Sequence, residues 1–234
     1  MVSFRSNLAG VICLLSIALV GVTGLHASET HDELLDRWFA AQSKMKTWSA
    51  DLVQIRKLKA LKEPLKTPGK VWFLNPDRFR WELGTPAQTI AVRETTSLMV
   101  IYPRLKRAEK YPLDDDSTGQ WRDALTLLES GFPQSRVEME KQFNIIGMEL
   151  NGPVAVLSME PRSANTKKLL KEVRIGFDTE DMMLRSTELL FADDSSLKNQ
   201  FTNGRSNLEL EPALFEAAIP DNFKVTQPLS ALSK

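Results

Sequence analysis

The sequence predicts a mainly β protein with a few helices: one large antiparallel sheet, a helix ahead of it and a helical insert near its middle. Three observations lead there. Phe79, Trp81 and Leu83 alternate with Arg78, Arg80 and Glu82, the period of a strand with one apolar and one wet face. Strand-like segments near 69–74, 78–84, 88–93, 97–102 and 106–111 follow one another across short turns such as Asn75-Pro76-Asp77 and Gly84-Thr85-Pro86. Such spacing leaves no room for crossover helices, so neighbours must run antiparallel. Apolar residues take up helical spacing mainly in two places, after residue 30 and after residue 116.

The first 27 residues carry one charge, Arg5, then an apolar run over 11–22 and a small-residue exit at Leu25-His26-Ala27. This is the plan of a secretory signal peptide cleaved after Ala27, leaving 28–234 as a single domain. The apolar run is short for a span of about 20 residues, which argues against an uncleaved anchor. Cys13, the only cysteine, lies inside that run behind Gly10-Val11-Ile12, not in a lipidation sequence. The mature chain therefore offers no disulfide, thiolate nucleophile or cysteine metal site, and an exported protein of this kind suits a bacterial periplasm. With Arg5 removed, 29 basic residues face 30 acidic ones, and a net charge of −1 gives no footprint for nucleic acid.

Thr30-His-Asp-Glu33 has the form of a capping box, and Leu34, Leu35, Trp38, Phe39, Ala41, Gln42 and Met45 follow in an amphipathic helical pattern. A strand is expected over 48–58, then a lysine-rich loop (Lys57, Lys59, Lys62, Lys66) with Pro64 and Pro68 up to Gly69. After the five-strand run, Asp114, Asp115 and Asp116 suit a helix entrance. Trp121, Leu125 and Leu128 make a short amphipathic helix that stops at Gly131, and a further helical turn is expected around 133–140. Strands resume near 142–150, 153–160, 171–178, 182–192 and 197–203, with a terminal one near 222–226. So many strands rarely stay flat. The sheet either curls into an open barrel with helices at its mouth or splits into two packed layers. The face bearing Phe79, Trp81 and Leu83 lines either a thick core or a cavity for an apolar guest. If the sheet curls, Trp38, Trp81 and Trp121 can meet at one mouth.

An enzyme is hard to assemble from this inventory. His31 is the only histidine left after cleavage and sits at a helix start, and no Gly-x-Ser-x-Gly elbow exists. One histidine and no cysteine make no zinc site. The Asp114, Asp115, Asp116 run reads as a solvated helix cap before it reads as a calcium site. A glycosidase carboxylate pair remains available in principle, since acidic residues are plentiful. No phosphate-binding glycine loop is present, so no cofactor is expected. The basic stretches Lys57 to Lys70 and Arg104, Lys106, Arg107 and Lys110 are either solvated faces or contacts for anionic headgroups or an acidic partner.

The order Gly69-x-Val-Trp-Phe-x-x-Pro-x-x-Phe-x-Trp81, then Pro86, Ile90-x-Val92 and Leu98-x-Val-Ile-Tyr-Pro103, resembles the periplasmic lipoprotein-carrier family of the LolA type. The similarity continues through Phe143-Asn-Ile, Leu157-Ser-Met-Glu-Pro161 and Val173-x-Ile175. It closes with Pro212-x-x-Phe215-x-x-x-x-Pro220-x-x-x-x-Val225. The resemblance implies a strongly curved, incomplete barrel of about eleven strands closed by a helical lid. It implies a monomeric soluble carrier whose cavity takes the acyl chains of a lipoprotein at an inner-membrane release complex and yields them to an outer-membrane receptor lipoprotein. It places Phe79 and Trp81 in the cavity; Leu83, Val71, Phe73, Leu98 and Val100 are added to that lining, and Trp121, Leu125 and Leu128 to the lid. Many members carry Arg before the motif's proline as a lid latch, and here Asn75 holds that place, without charge or reach. A lipid or glycolipid shuttle on the same fold, and a secreted binding module with a filled core, are the alternatives.

Overall fold

The computed structural model describes residues 30–113 and 135–228. The signal peptide over 1–27 with Cys13, the acidic run Asp114, Asp115 and Asp116, and the lid residues Trp121, Leu125 and Leu128 lie outside the described residues.

Helix α1 (His31–Gln42) starts at the capping box foreseen: Thr30 Oγ1 accepts from the Glu33 N–H at 3.3 Å and the Thr30 N–H donates to Glu33 Oε2 at 2.9 Å. That second bond holds the Glu33 carboxyl below its ordinary pKa. Leu34, Leu35, Trp38 and Phe39 form the stripe it buries. The strands that follow fall into two meanders and a terminal strand. The first meander contains β1 (Thr47–Lys57), β2 (Leu65–Leu74), β3 (Arg78–Leu83), β4 (Thr89–Arg93), β5 (Ser97–Tyr102) and β6 (Arg107–Pro112). The second contains β7 (Phe143–Asn151), β8 (Val154–Pro161), β9 (Leu170–Asp178), β10 (Leu184–Phe191) and β11 (Ser196–Ser206). Pairing of β1 with β11 joins them into one sheet in the order β12-β6-β5-β4-β3-β2-β1-β11-β10-β9-β8-β7, where β12 is Lys224–Thr226. All neighbours are antiparallel except β12, which runs parallel to β6. The end strands β7 and β12 do not pair with each other, so the curved sheet is an open barrel.

Two expectations shift. The segment before Gly69 is strand from Leu65 onward, not loop up to Gly69. Pro68 is tolerated there because β3 reaches only as far as Gly69, so Pro68 pairs with Val53 of β1 on one side and uses only its carbonyl, accepting from the Gly84 N–H, on the other. The helical turn expected around 133–140 is α2 (Arg136–Gln142), capped by Ser135. A four-residue helix α3 (Ala164–Lys167) between β8 and β9 has no counterpart in the sequence reading.

Register shows how the core is built, because directly paired residues share a face. One inner row runs Trp48, Phe73, Phe79, Arg93, Leu98, Tyr111 across β1 to β6. The next runs Ala50, Val71, Trp81, Ala91, Val100, Glu109. Leu157, Ile175 and Phe177 continue the inner face on β8 and β9, and all are fully buried. The α1 stripe packs into this concavity, with Trp38 stacked on Phe177 at 4.8 Å and 16°. Arg37 and Gln42 donate to the carbonyls of Thr179 and Met182 in the β9–β10 turn, at 2.9 and 3.1 Å. At the other end, Arg136 of α2 reaches Asp32 and Asp36 of α1 at 2.8 Å each and Glu140 at 2.7 Å.

The C-terminal segment covers part of the outer face. Met99, Ile101 and Ala108 point away from the concavity and pack against Ala217, Ile219 and Phe223 of the C-terminal segment. A 3-10 turn at Pro212–Phe215 begins this strap and buries Phe215. The Ala217 N–H donates to Glu94 Oε1 at 3.0 Å, and Arg80 donates to the Leu214 carbonyl at 3.4 Å.

Candidate functional site

The seven residues expected to line a cavity all lie on the inner face, and packing sorts them into two groups. Val71, Phe73, Phe79 and Leu98 are buried, at 0, 5, 7 and 1% exposure. Trp81, Leu83 and Val100 are half-buried at the flank of the same cluster, beside Ala91 and Tyr111. The apolar concavity is therefore packed at these four positions and less covered at Trp81, Leu83 and Val100. Trp81 stands at that border, edge-on to Phe201 of β11 at 6.0 Å and 72°. Its indole N–H is buried, with no hydrogen-bond partner among the described residues.

Several contributors were missed in the sequence. Trp48, Ala50 and Leu52 share the face, and their alternation was legible once a strand was placed there. Phe201 gave no such signal, because its role depends on the pairing of Leu52 with Phe201 across β1 and β11. Also unforeseen is a buried polar ladder on the inner face: Gln54 Nε2 donates to Asn199 Oδ1 at 3.2 Å, and Asn199 Nδ2 donates to Thr187 Oγ1 at 3.1 Å. Its groups satisfy one another, so the ladder bounds the apolar area without an orphaned amide.

At the β6 side the apolar rows end in a second polar group. Glu109 Oε2 accepts from Tyr111 at 2.9 Å and from Tyr102 at 3.3 Å, while Arg107 pairs with Oε1 at 3.3 Å and lies 4.7 Å from the Tyr102 ring centre. Burial first, then the neighbouring carboxylate, push both phenols above their ordinary pKa. They remain neutral donors at neutral pH.

Asn75 does reach backbone. Its Nδ2 donates at 3.0 Å to the carbonyl of Met45, in the connection from α1 to β1, and its own N–H donates to the Lys46 carbonyl at 2.8 Å. The side chain thereby ties the β2–β3 turn to the corner that sets the angle of α1. His31 is exposed at the start of α1. It lines a charged cleft of about 490 Å³ with Asp32, Arg136 and Glu140. A cleft of about 300 Å³ lies on the outer face by Asp51, Lys70, Trp72 and Arg205. Neither cleft is lined by the seven inner-face residues. Among the described residues no group of three or more His, Cys, Asp or Glu side chains is placed to hold a metal, and no helix is long and apolar enough to cross a membrane.

The class of fold this chain builds is an open barrel with a largely apolar concave face and a helix seated in it. The outer membrane lipoprotein carrier protein LolA family matches residues 43–218, and the chain belongs to that family. Among solved structures, an uncharacterized conserved protein from Thermus thermophilus aligns at 12% identity and TM-score 0.49, over 84% of this chain and 98% of that one. A DUF1329 family protein from Desulfovibrio piger aligns at 11% and 0.44, over 79% and 95%. A LolA superfamily protein from Nitrosomonas europaea aligns at 8% and 0.41, over 81% and 99%. Comparison with curated proteins gives no match.

Proposed function

We propose that this protein is a soluble periplasmic carrier that shields the acyl chains of lipoproteins and ferries them from the inner to the outer membrane. The observation that carries the reading is the largely apolar inner face of β1 to β5, buried at Val71, Phe73, Phe79 and Leu98 yet only half covered at Trp81, Leu83 and Val100, in a member of the lipoprotein-carrier family. Export with removal of residues 1–27 delivers 28–234 as one domain to the compartment where such cargo travels. No catalytic step and no cofactor are invoked.

Burial of an acyl chain is worth about 0.8 kcal/mol per CH₂, so a dry cavity holds a lipid tail tightly. Release then requires a competitor for the same space. Trp121, Leu125 and Leu128 are assigned that part, as an apolar lid that occupies the mouth when cargo has left. Phe79, Trp81, Leu83, Val71, Phe73, Leu98 and Val100 form the receiving face. Asn75 acts from behind it, holding the corner on which α1 pivots. Loading comes from an inner-membrane release complex and unloading to an outer-membrane receptor of higher affinity, with no nucleotide consumed.

Native mass spectrometry of the protein recovered from cells, followed by solvent extraction, tests this. A covalently acylated peptide as the bound species is the expected result. Free lipid or glycolipid would make the chain a lipid shuttle on the same fold, and a chain that binds no acyl probe in any state would be a packed module.

A further inference from the structure

The hairpin between β1 and β2 differs from the rest of the surface. Residues 57–66 read Lys-Leu-Lys-Ala-Leu-Lys-Glu-Pro-Leu-Lys. The last pair of the β1–β2 ladder is Arg56 with Leu65, so the residues between project beyond the paired sheet. All four lysines are exposed, and with them Leu61 at 44% and Leu65 at 49%. The adjoining start of β9 adds Leu169 at 42% exposure, with Lys167, Lys168 and Lys171 exposed around it. The registers of Lys57 with Ser196, Ser196 with Leu190 and Phe191 with Leu170 put these segments at one end of the sheet.

The cations there are only partly answered. Lys171 pairs with Asp194, Lys167 pairs with Glu160, and the field of Lys59 acts on Asp193 and Asp194. Lys57, Lys62 and Lys66 form no ion pair among the described residues. A surplus of positive charge thus surrounds three leucines that water disfavours. An anionic bilayer surface satisfies both at once, since its charge attracts the lysines and its headgroup layer admits short apolar side chains. A folded acidic partner fits less well, because a specific protein interface needs about 800 Å² per side and a narrow projecting hairpin presents a convex tip.

We propose that this end of the molecule docks on an anionic lipid surface, with Leu61 and Leu65 entering the headgroup layer and Lys57, Lys59, Lys62 and Lys66 lying over the anionic groups. The docking surface is separate from the acyl-binding face and does not depend on the cargo reading.

Co-sedimentation with phosphatidylcholine vesicles, and with vesicles containing a third phosphatidylglycerol, tests it, using the protein as cells deliver it in every arm. Wild type should bind the anionic vesicles and not the neutral ones, with affinity falling as salt rises. Lys59→Gln with Lys62→Gln should weaken binding about twenty-five-fold, near five-fold per lysine. Leu61→Asn with Leu65→Asn should weaken it several-fold while keeping the salt dependence. All four positions are exposed, so melting temperature and acyl-probe binding should be unchanged, which separates this surface from the cargo site. Equal binding to both vesicle types, or tip variants that bind as wild type does, overturns the proposal. So does a wild-type chain that ignores vesicles while its tip cross-links to a periplasmic protein, since the tip would then be a protein-docking surface.

Discussion

The indole of Trp81 on β3 stands edge-on to the ring of Phe201 on β11, 6.0 Å between centroids, although β2 and β1 lie between their strands. Three strand steps in a flat sheet cover about 14 Å. The two rings meet because the sheet curls, and that curl turns alternating apolar residues on separate strands into one concave lining. Trp48 approaches the same Phe201 ring at 5.2 Å and 80°, so both indoles meet on Phe201.

Position within that lining separates stability from binding. Phe79 is buried and Trp81 only half so. Phe79→Ala is expected to cost about 3–5 kcal/mol in chemical denaturation, the usual range for a buried aromatic. Trp81→Ala should cost clearly less while reducing uptake of an environment-sensitive acyl probe more than ten-fold, roughly 1.4 kcal/mol or above. Equal losses of stability with unaltered probe uptake would make Trp81 core rather than lining.

The close approach of β2 and β3 rests on Gly69. A Cβ there would collide with the Glu82 carbonyl oxygen and press on Leu83. Backbone cannot step aside as a flexible side chain can. Gly69→Ala should therefore destabilise by about 2 kcal/mol or more, within the range of overpacking, with the loss read from denaturant midpoints. A neutral outcome would mean that the β2–β3 pair is free to shift.

Asn75 offers a test of the corner that carries α1. Asn75→Ala removes the bond to the Met45 carbonyl and should cost about 1 kcal/mol, a fall in Tm of roughly 2–4 °C for a domain of this size. If the corner restrains opening, acyl-probe affinity rises as stability falls, because less free energy is spent in releasing α1. Asn75→Arg should move both quantities the other way if its longer side chain gains a charge-assisted bond. Unchanged affinity in both variants would remove Asn75 from the gating mechanism.

Acid stability should register Asp178 at the end of β9. The Glu180 N–H, then the Arg185 guanidinium, which donates to Asp178 Oδ2 at 3.0 Å, hold this carboxyl below its ordinary pKa. A depressed folded-state pKa contributes stability that is present above the unfolded value, near 3.9, and is lost as pH falls through the folded value. Asp178→Asn should thus be less stable than wild type at pH 7 and show a shallower loss below pH 4, measured by thermal melts across pH 2–7. Parallel pH curves would assign the acid loss to other carboxylates.

Much of this architecture was legible in the chain because the signals were local. Thr30 and Glu33 mark the start of α1, and the alternation through Phe79, Trp81 and Leu83 marks a strand whose apolar side must be covered. Short turns between the strands force an antiparallel meander, and each of these depends on residues within reach of one another along the backbone. Tertiary structure decided what those local elements enclose. Pairing of β1 with β11 welds two meanders into one sheet and brings Phe201 under Trp48 and Trp81. The same pairing sets Gln54 beside Asn199, and the path of the C-terminal strap leaves Met99 and Ile101 on a covered outer face. No neighbour in sequence signals these outcomes, because they follow from contacts between residues far apart along the chain, and the curvature of the whole sheet chooses which side chains meet.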